Sequence, residues 1–424
     1  MQSIAIALAR GLLVCAATTA LASLATAEPQ SQLTLKAALD AAEQYSLALK
    51  AEESAAEAAK SRADLAGQLP DPTLKLSIDN LPVDGPMQYS AAQDFMTMRS
   101  VGMSQTWVKG SKRAAATSAF NRDEDVAKAR RLMTLTELRQ ATASAWFKSH
   151  FSAQRVEWMN RLHAEITRQI QAESAQYRAD RGTANKVLTL QNALARLEAR
   201  TIAAQTQLEE DNLELKRWTG QSLPANPADE PDLAKTRFKL DHLAQHIDKH
   251  PDIALMNALE QKARAEVVTA EEDKSADVSY SVMYSLRGPA YSNMLSFGVS
   301  VPLQIDPENR QDKLVQAREA LARKAERQRM EATREHLAQT EQWWAQWQGD
   351  LKQLAVFDEK VLPLSKQDVE LTMAAYRAGH SSLNDVLDAR SRELQAQLDR
   401  LQLAQETALQ WLKLEYLLPE DTNP

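Results

Sequence analysis

The pattern of apolar and polar positions predicts long helices for most of the chain. From Ser111 to about Tyr177 there is no proline or glycine, and apolar residues recur at helical spacing. At about 1.5 Å per residue, a helix of this length extends for about 100 Å. A turn at Asp180–Thr183 then precedes a second helix that returns to about Gly220. A lone globular domain has no use for a hairpin of this length.

Shorter segments, most of which alternate between apolar and polar residues, predict half-buried strands. The predicted strands are Thr73–Asn80, about Phe95–Val108, Ala276–Leu286 and Ser292–Gln304. An alanine-rich helix precedes each pair of strands, over Leu33 to about Leu69 and over about 235–273, the second interrupted at His250-Pro251. After the second pair, a long helix over about 309–362 ends at a Pro363 break, and a hairpin tip and a return helix follow.

The two halves of the chain repeat each other. A displacement of 199 residues aligns Tyr177-Arg178-Ala179 with Tyr376-Arg377-Ala378, and Asn185, Val187 and Leu188 with Asn384, Val386 and Leu387. Self-similarity at about half the chain length predicts a duplicated structural unit. We therefore predict a first repeat over residues 28–223, a linker over 224–234 and a second repeat over 235–424.

Composition supports the helical interpretation. The 424 residues include only 11 glycines and carry a net charge of -7, so the chain has no basic excess for nucleic acid. Residues 1–27 have the features of a secretion signal: Arg10 precedes an apolar run, and Ala25-Thr26-Ala27 forms a cleavage site. The only cysteine, Cys15, lies inside this segment, so we expect the mature chain to have neither disulfides nor thiolate chemistry.

The shared order of elements, the paired Tyr-Arg-Ala tips and the sequence Asp385-Val386-Leu387-Asp388 together resemble the TolC family of outer-membrane efflux channels. The resemblance covers essentially the whole mature chain. It implies a mostly α fold with a small β part, in which long helical hairpins form a periplasmic tunnel. It also implies a homotrimer whose subunits each contribute four strands to a twelve-stranded transmembrane β-barrel in outer-membrane lipid.

The function that the resemblance implies is the exit duct of a tripartite efflux pump in a Gram-negative bacterium. Its partners would be a periplasmic adaptor and an inner-membrane pump of the RND type. Leu69-Pro70-Asp71-Pro72, followed by Ser77-Ile78-Asp79-Asn80-Leu81-Pro82, resembles the branch of the family that serves heavy-metal cations. Drug efflux and type I secretion of a polypeptide are alternatives within the family. A soluble periplasmic coiled-coil scaffold or adaptor is the alternative outside it.

Two aspartates are the candidate gate. Asp385 and Asp388 are three residues apart and share a helical face, whereas the first repeat has Lys186 and Thr189 at the equivalent positions. The resemblance implies that these carboxylates ring the tunnel entrance, where they would attract cations. A solvated helical face is the alternative. The predicted partner-contact tips are Arg181, Gly182, Thr183, Gly379, His380, Ser381 and Ser382.

Other clusters give no committed site. His242, His246 and His250 are spaced for one helical face, but Pro251 disfavours helical geometry at His250, so we predict no metal site there. Met96 and Met98 would share a strand face, with apolar packing as the ordinary interpretation. The candidates for an aromatic girdle at a bilayer interface are Trp107, Tyr280, Tyr284 and Tyr291. The chain has no recognisable catalytic motif, so we predict neither an enzyme nor a cofactor.

Overall fold

A computed structural model describes residues 32–180, 182–226 and 230–418. The predicted signal sequence, including Cys15, and the tip residue Arg181 lie outside the described residues. The described helices are α1 (Leu35–Tyr45), α2 (Leu47–Ala66), α3 (Gly110–Arg178), α4 (Ala184–Thr219), α5 (Leu240–Gln245), α6 (Pro251–Glu272), α7 (Gln311–Val356), α8 (Leu362–Arg377) and α9 (Leu383–Glu415). The strands are β1 (Thr73–Asp79), β2 (Met98–Trp107), β3 (Val278–Leu286) and β4 (Met294–Ser300).

The helix α3 is the central element of the fold. Its 69 residues confirm the predicted long helix, and it packs against α1, α2, α4, α6 and α9. Among the described helices, none has both the length and the apolar character needed to cross a membrane.

Some predicted helix boundaries are wrong. The first helix is divided at Ser46, whose extended backbone ends α1 and whose hydroxyl accepts a hydrogen bond from the Leu49 N–H group, 3.3 Å away, as the N-cap of α2. Residues 235–239, which we expected to be helical, lie outside the helices, and the next helix begins at Leu240.

Pro363 does not break the second long helix, contrary to the prediction. A π-helical turn over Phe357–Val361 joins α7 directly to α8, and the Leu362 N–H group bonds to the Phe357 carbonyl five residues back. Pro363 then falls in the first turn of α8, where a missing N–H group is tolerated. The wider turn before it explains how the helical path continues past a proline.

The strands form one antiparallel sheet in the order β1-β2-β3-β4. The strand β2 begins later than predicted because the Asp94 carboxylate accepts hydrogen bonds from the Met96 and Thr97 N–H groups, which forms a turn there. Met96 therefore precedes the strand and does not share a strand face with Met98, contrary to the prediction.

The two faces of the sheet differ in chemistry. One row across all four strands is apolar and exposed, and consists of Leu76, Val101, Tyr284 and Leu295. The neighbouring row on the other face consists of Ser77, Ser100, Ser285 and Met294. In that row the Ser100 hydroxyl lies 2.9 Å from the Ser285 hydroxyl. One face is therefore apolar, whereas the opposite face is rich in hydroxyl groups.

Indole groups bind the segment at the start of the first repeat and the segment between the repeats to the helices. The Trp146 indole donates to the Leu33 carbonyl at 2.8 Å, and the Trp347 indole donates to the Leu233 carbonyl at 3.0 Å. These partners lie at nearly the same displacement in the sequence, so the two halves make the same contact. A third indole, Trp411, donates to the Lys235 carbonyl at 2.6 Å.

We expect Trp347→Phe to lower the free energy of unfolding by about 1–3 kcal/mol, because it removes the buried indole donor of the Leu233 carbonyl. Denaturant unfolding followed by circular dichroism measures this effect. Trp218→Phe is the control, because the Trp218 indole is buried without a hydrogen-bond partner. An equal loss in both variants would show that the indole hydrogen bond does not stabilise the fold.

Candidate functional site at the hairpin tips

The second tip reverses the chain through a glycine-dependent helix end. Gly379 has a φ of 79°, in the left-handed region that glycine adopts without strain. The His380 N–H group bonds to the Ala375 carbonyl at 2.9 Å, and the Gly379 N–H group bonds to the Tyr376 carbonyl at 3.0 Å. This is the Schellman arrangement, which ends α8 and turns the chain toward α9.

The candidate gate residue Asp385 caps its own helix. The Ser382 hydroxyl accepts from the Asp385 N–H group at 3.2 Å, and the Asp385 carboxylate accepts from the Ser382 N–H group at 2.7 Å. The Ser381 hydroxyl donates to the same carboxylate at 2.9 Å. These bonds, led by that from the Ser382 backbone, hold the pKa of Asp385 below its usual value. Asp385 is therefore an ionised, exposed capping residue at neutral pH.

Asp388 lies one turn further along α9 and is also exposed. Its charge contributes to raising the pKa of Arg392, one turn beyond it, although the Asp368 carboxylate is the main cause of that rise. The carboxylates of Asp385 and Asp388 thus stand on the solvent-facing side of α9, next to the tip. The structure describes a single chain, and the gate remains a prediction.

A partly buried polar contact joins the two hairpins near this tip. The Tyr376 hydroxyl on α8 donates to the Glu173 carboxylate on α3 at 2.7 Å and accepts from the Lys186 ammonium on α4 at 3.0 Å. Burial raises the pKa of Tyr376, and the hydrogen bond to Tyr376 raises the pKa of Lys186. We call Glu173, Tyr376 and Lys186 the inter-hairpin latch.

A second ionic contact lies beside the latch. The Arg390 guanidinium on α9 contacts the Glu165 carboxylate on α3 and the Glu393 carboxylate on its own helix. A cavity of about 400 Å³ lies between the hairpins, and its lining includes Glu173, Tyr376 and Arg390. The base of the second hairpin tip is therefore held to the first hairpin by polar groups around an incompletely filled space.

Most of the latch is not evident from the sequence. Lys186 is notable there only as a break in the acidic pattern, whereas its ammonium group contacts the second hairpin. Glu173 is eight residues before Arg181, where the first tip begins, and carries no local motif. The usable signal was Tyr376 itself, because the tyrosine repeats in both tips and a buried hydroxyl requires a partner.

The histidine series does not converge on one site. The His242 and His246 rings stack with centroids 4.1 Å apart, whereas His250 is buried against His336, with ring centroids 4.9 Å apart. Burial lowers the pKa of His250 to about 3, so its ring is neutral at physiological pH.

Comparison with known proteins agrees with this architecture. Residues 243–419 match the family described as outer membrane efflux protein, and this range includes both candidate gate aspartates. No curated protein matches the sequence. CusC, whose crystal structures concern folding and transmembrane channel formation, is similar in structure with a TM-score of 0.75 and 14% sequence identity, over 92% of this chain and 93% of that chain.

Two further channels show the same fold. The outer membrane protein VceC from Vibrio cholerae gives a TM-score of 0.71 at 16% identity, over 90% of this chain and 95% of that chain. The open state of the MtrE outer membrane channel from Neisseria gonorrhoeae gives a TM-score of 0.73 at 14% sequence identity, over 91% of this chain and 88% of that chain. Residues 243–419 thus match that family in sequence, and nearly all of the described chain shares the fold of these channels. The resemblance drawn from the tips and the repeated order of elements is thereby confirmed.

For this chain we expect Asp385→Ala to increase amide exchange in the first turn of α9 by about fivefold, because it removes half of the capping box. Asp388→Ala is the matched control and should leave this exchange nearly unchanged. Because the folded-state pKa of Asp385 is lowered, its stabilising effect is present above the unfolded pKa and is lost as the pH falls through the folded pKa. Mass spectrometry of hydrogen exchange tests both statements, and equal protection in the two variants would contradict them.

Proposed function

We propose that this protein is the trimeric exit duct of a tripartite efflux pump, which conducts its cargo passively from the periplasm across the outer membrane of a Gram-negative bacterium. The observation that carries the proposal is the sheet, whose apolar face is exposed to an extent that a water-soluble protein would not sustain. In the apolar row, the exposed fractions are 72% for Leu76, 42% for Val101, 42% for Tyr284 and 58% for Leu295. A surface of this kind suits lipid on one face and a water-filled lumen on the hydroxyl-rich face.

The sheet also supports assembly with other copies. Within the described residues, β1 and β4 each pair on one side only, and a span in lipid requires every backbone group to be paired. Four strands cannot close on themselves, so β1 of one copy would pair with β4 of the next. Three copies would complete the twelve-stranded barrel that the family resemblance implies.

The helices support the same arrangement. In one chain α3 packs against α4 and α9, and α9 packs against α8, whereas α4 and α8 of the described chain share few contacts beyond the Lys186–Tyr376 hydrogen bond near the tips. Each of these two helices has exposed leucines: Leu188 and Leu213 on α4, and Leu364 and Leu371 on α8. An interface between different faces of identical chains produces a ring when its rotation closes. We infer that α4 of one subunit packs against α8 of its neighbour.

In such a ring, Asp385 and Asp388 of each subunit would approach the common axis. Their exposure in the single chain, and the ionised state of Asp385, support a narrow acidic entrance that favours cations. The latch holds the second hairpin against the first and would keep this entrance narrow. A periplasmic adaptor that binds the tips would open it by drawing the second hairpin outward, and an RND-type pump would supply the energy.

Heavy-metal cations are the cargo that we propose, from the resemblance of residues 69–72 and 77–82 to that branch of the family. Drugs or a secreted polypeptide are the alternative cargoes. Metal sensitivity of a deletion strain, restored by the wild-type chain and compared with its drug sensitivity, separates them.

We expect the double substitution Asp385→Ala and Asp388→Ala to reduce the cation-over-anion permeability ratio several-fold in planar bilayers, because the entrance loses all of its acidic groups. Asp368→Ala is the control, because that carboxylate lies on α8 and pairs with Arg392. An unchanged permeability ratio in the double variant would contradict the acidic gate. The absence of any conductance in wild type would contradict the channel and favour a periplasmic scaffold.

We expect Tyr376→Phe to raise the open probability of the channel by about tenfold, because it removes the hydroxyl that joins Glu173 to Lys186. Single-channel recording measures the change. Tyr177→Phe is the matched control, since Tyr177 is the repeat counterpart and is exposed. Equal effects of the two substitutions would show that the latch does not hold the channel closed.

A further inference from the structure

The second hairpin contains an interruption that the first hairpin lacks. The π-helical turn Phe357–Val361 follows α7, and Pro363 lies in the first turn of α8. At the displacement of 199 residues, the counterparts are Trp158–Leu162 and Ala164, which lie inside the continuous helix α3. The interruption is therefore specific to the hairpin that carries the candidate gate.

The backbone of this interruption is held by fewer regular hydrogen bonds than an α-helix. Pro363 has no N–H group to donate to the Glu359 carbonyl, and the Leu362 N–H group bonds five residues back instead of four. The Ser365 hydroxyl donates to the Val361 carbonyl at 2.8 Å, a side-chain contact that often bends helices. A proline next to a π-helical turn is a common cause of helix kinks.

Packing around the interruption is also weak. Asp350 and Val369 are buried, but none of the side chains over residues 352–368 is buried in this described stretch. The matching stretch of α3, residues 153–169, buries Met159 and Ile166. Within one chain few apolar contacts oppose it, so bending at the interruption costs less there than bending at the matching place in the first hairpin.

One ion pair lies at the interruption and another lies beyond it, toward the tip. The Arg400 guanidinium on α9 binds both oxygens of Asp358 at 3.0 and 3.1 Å. Nearer the tip, Arg392 on α9 binds Asp368 on α8 at 2.7 Å. These side chains are partly or largely exposed, and ion pairs in water contribute little stability. They can keep α8 beside α9 while the angle between α7 and α8 changes.

We propose that the π-helical turn Phe357–Val361 and Pro363 form the hinge at which α8, with its tip, bends away from the axis of α7. The inference rests on the proposed function for its consequence, which is that the bend moves Asp385 and Asp388 off the channel axis once the latch releases. The first hairpin, which has no such interruption, then serves as the fixed wall.

Hydrogen exchange of the full-length trimer tests the hinge independently of conduction. We expect residues 352–368 to exchange at least about tenfold faster than residues 153–169. Pro363→Ala, which introduces the residue of the first repeat, should bring the two stretches to within about threefold, because it restores a helical N–H group. Lys366→Ala is the control for a substitution on exposed α8 and should leave the difference in place. Equal exchange of the two stretches in wild type would overturn the hinge.

Single-channel recording then tests what the hinge does. Pro363→Ala should lower the open probability of the channel several-fold, whereas Lys366→Ala should not change it. If Pro363→Ala slows exchange of residues 352–368 but leaves the open probability unchanged, the proposed role of the hinge in channel opening is overturned. If wild type does not conduct at all, the proposed function fails, and the exchange result alone decides whether the segment is a hinge.

Discussion

An open sheet with one apolar face is the constraint on which the rest of the structure depends. Its four strands leave β1 and β4 each paired on one side, and the outward row contains leucine, valine and tyrosine side chains. Within its described residues, a single chain provides no strand to hydrogen-bond with the backbone groups at these edges, and it leaves the apolar face uncovered. On the proposed account, lipid covers the face and neighbouring copies pair with the edges. The helices continue from the strands, so the same ring defines the tunnel.

The two halves of the chain share their indole contacts but differ in their hairpins, where the proposed gate requires one hairpin to be unlike the other. Both halves keep an indole donating to a leucine carbonyl, through Trp146 to Leu33 and through Trp347 to Leu233, which fixes the connecting segments in the same way. The differences concentrate in the second hairpin, which has the acidic tip and the interrupted outer helix. The first hairpin supplies the continuous helix α3 and the Glu173 and Lys186 side of the latch. On the proposed account, the first hairpin stays in place and the second moves.

The sequence predicted the fold class well because long periodic segments and alternating strands are strong local signals. It failed where a side chain or a local turn overrides the pattern. The Ser46 hydroxyl offers a cap that divides one helix, and the π-helical turn accommodates Pro363 without a break. The Asp94 carboxylate shortens β2 by holding the preceding backbone in a turn.

The candidate site was only partly accessible from sequence for a related reason. Asp385 was identified by its spacing from Asp388, but its capping bonds to Ser382 depend on the backbone conformation of the tip. The latch joins Glu173 to Tyr376 across 203 residues, and no local periodicity encodes a contact at that separation. Such contacts follow from the packing of one hairpin against the other.

The most direct test of the central claim is the subunit number of the protein in isolated outer membranes, measured by gel electrophoresis of unboiled and boiled samples. The account predicts a band of three chains in the unboiled outer-membrane fraction that converts to a single-chain band on boiling. A single chain in the soluble periplasmic fraction would contradict the account, because the open edges of the sheet would then need no partner.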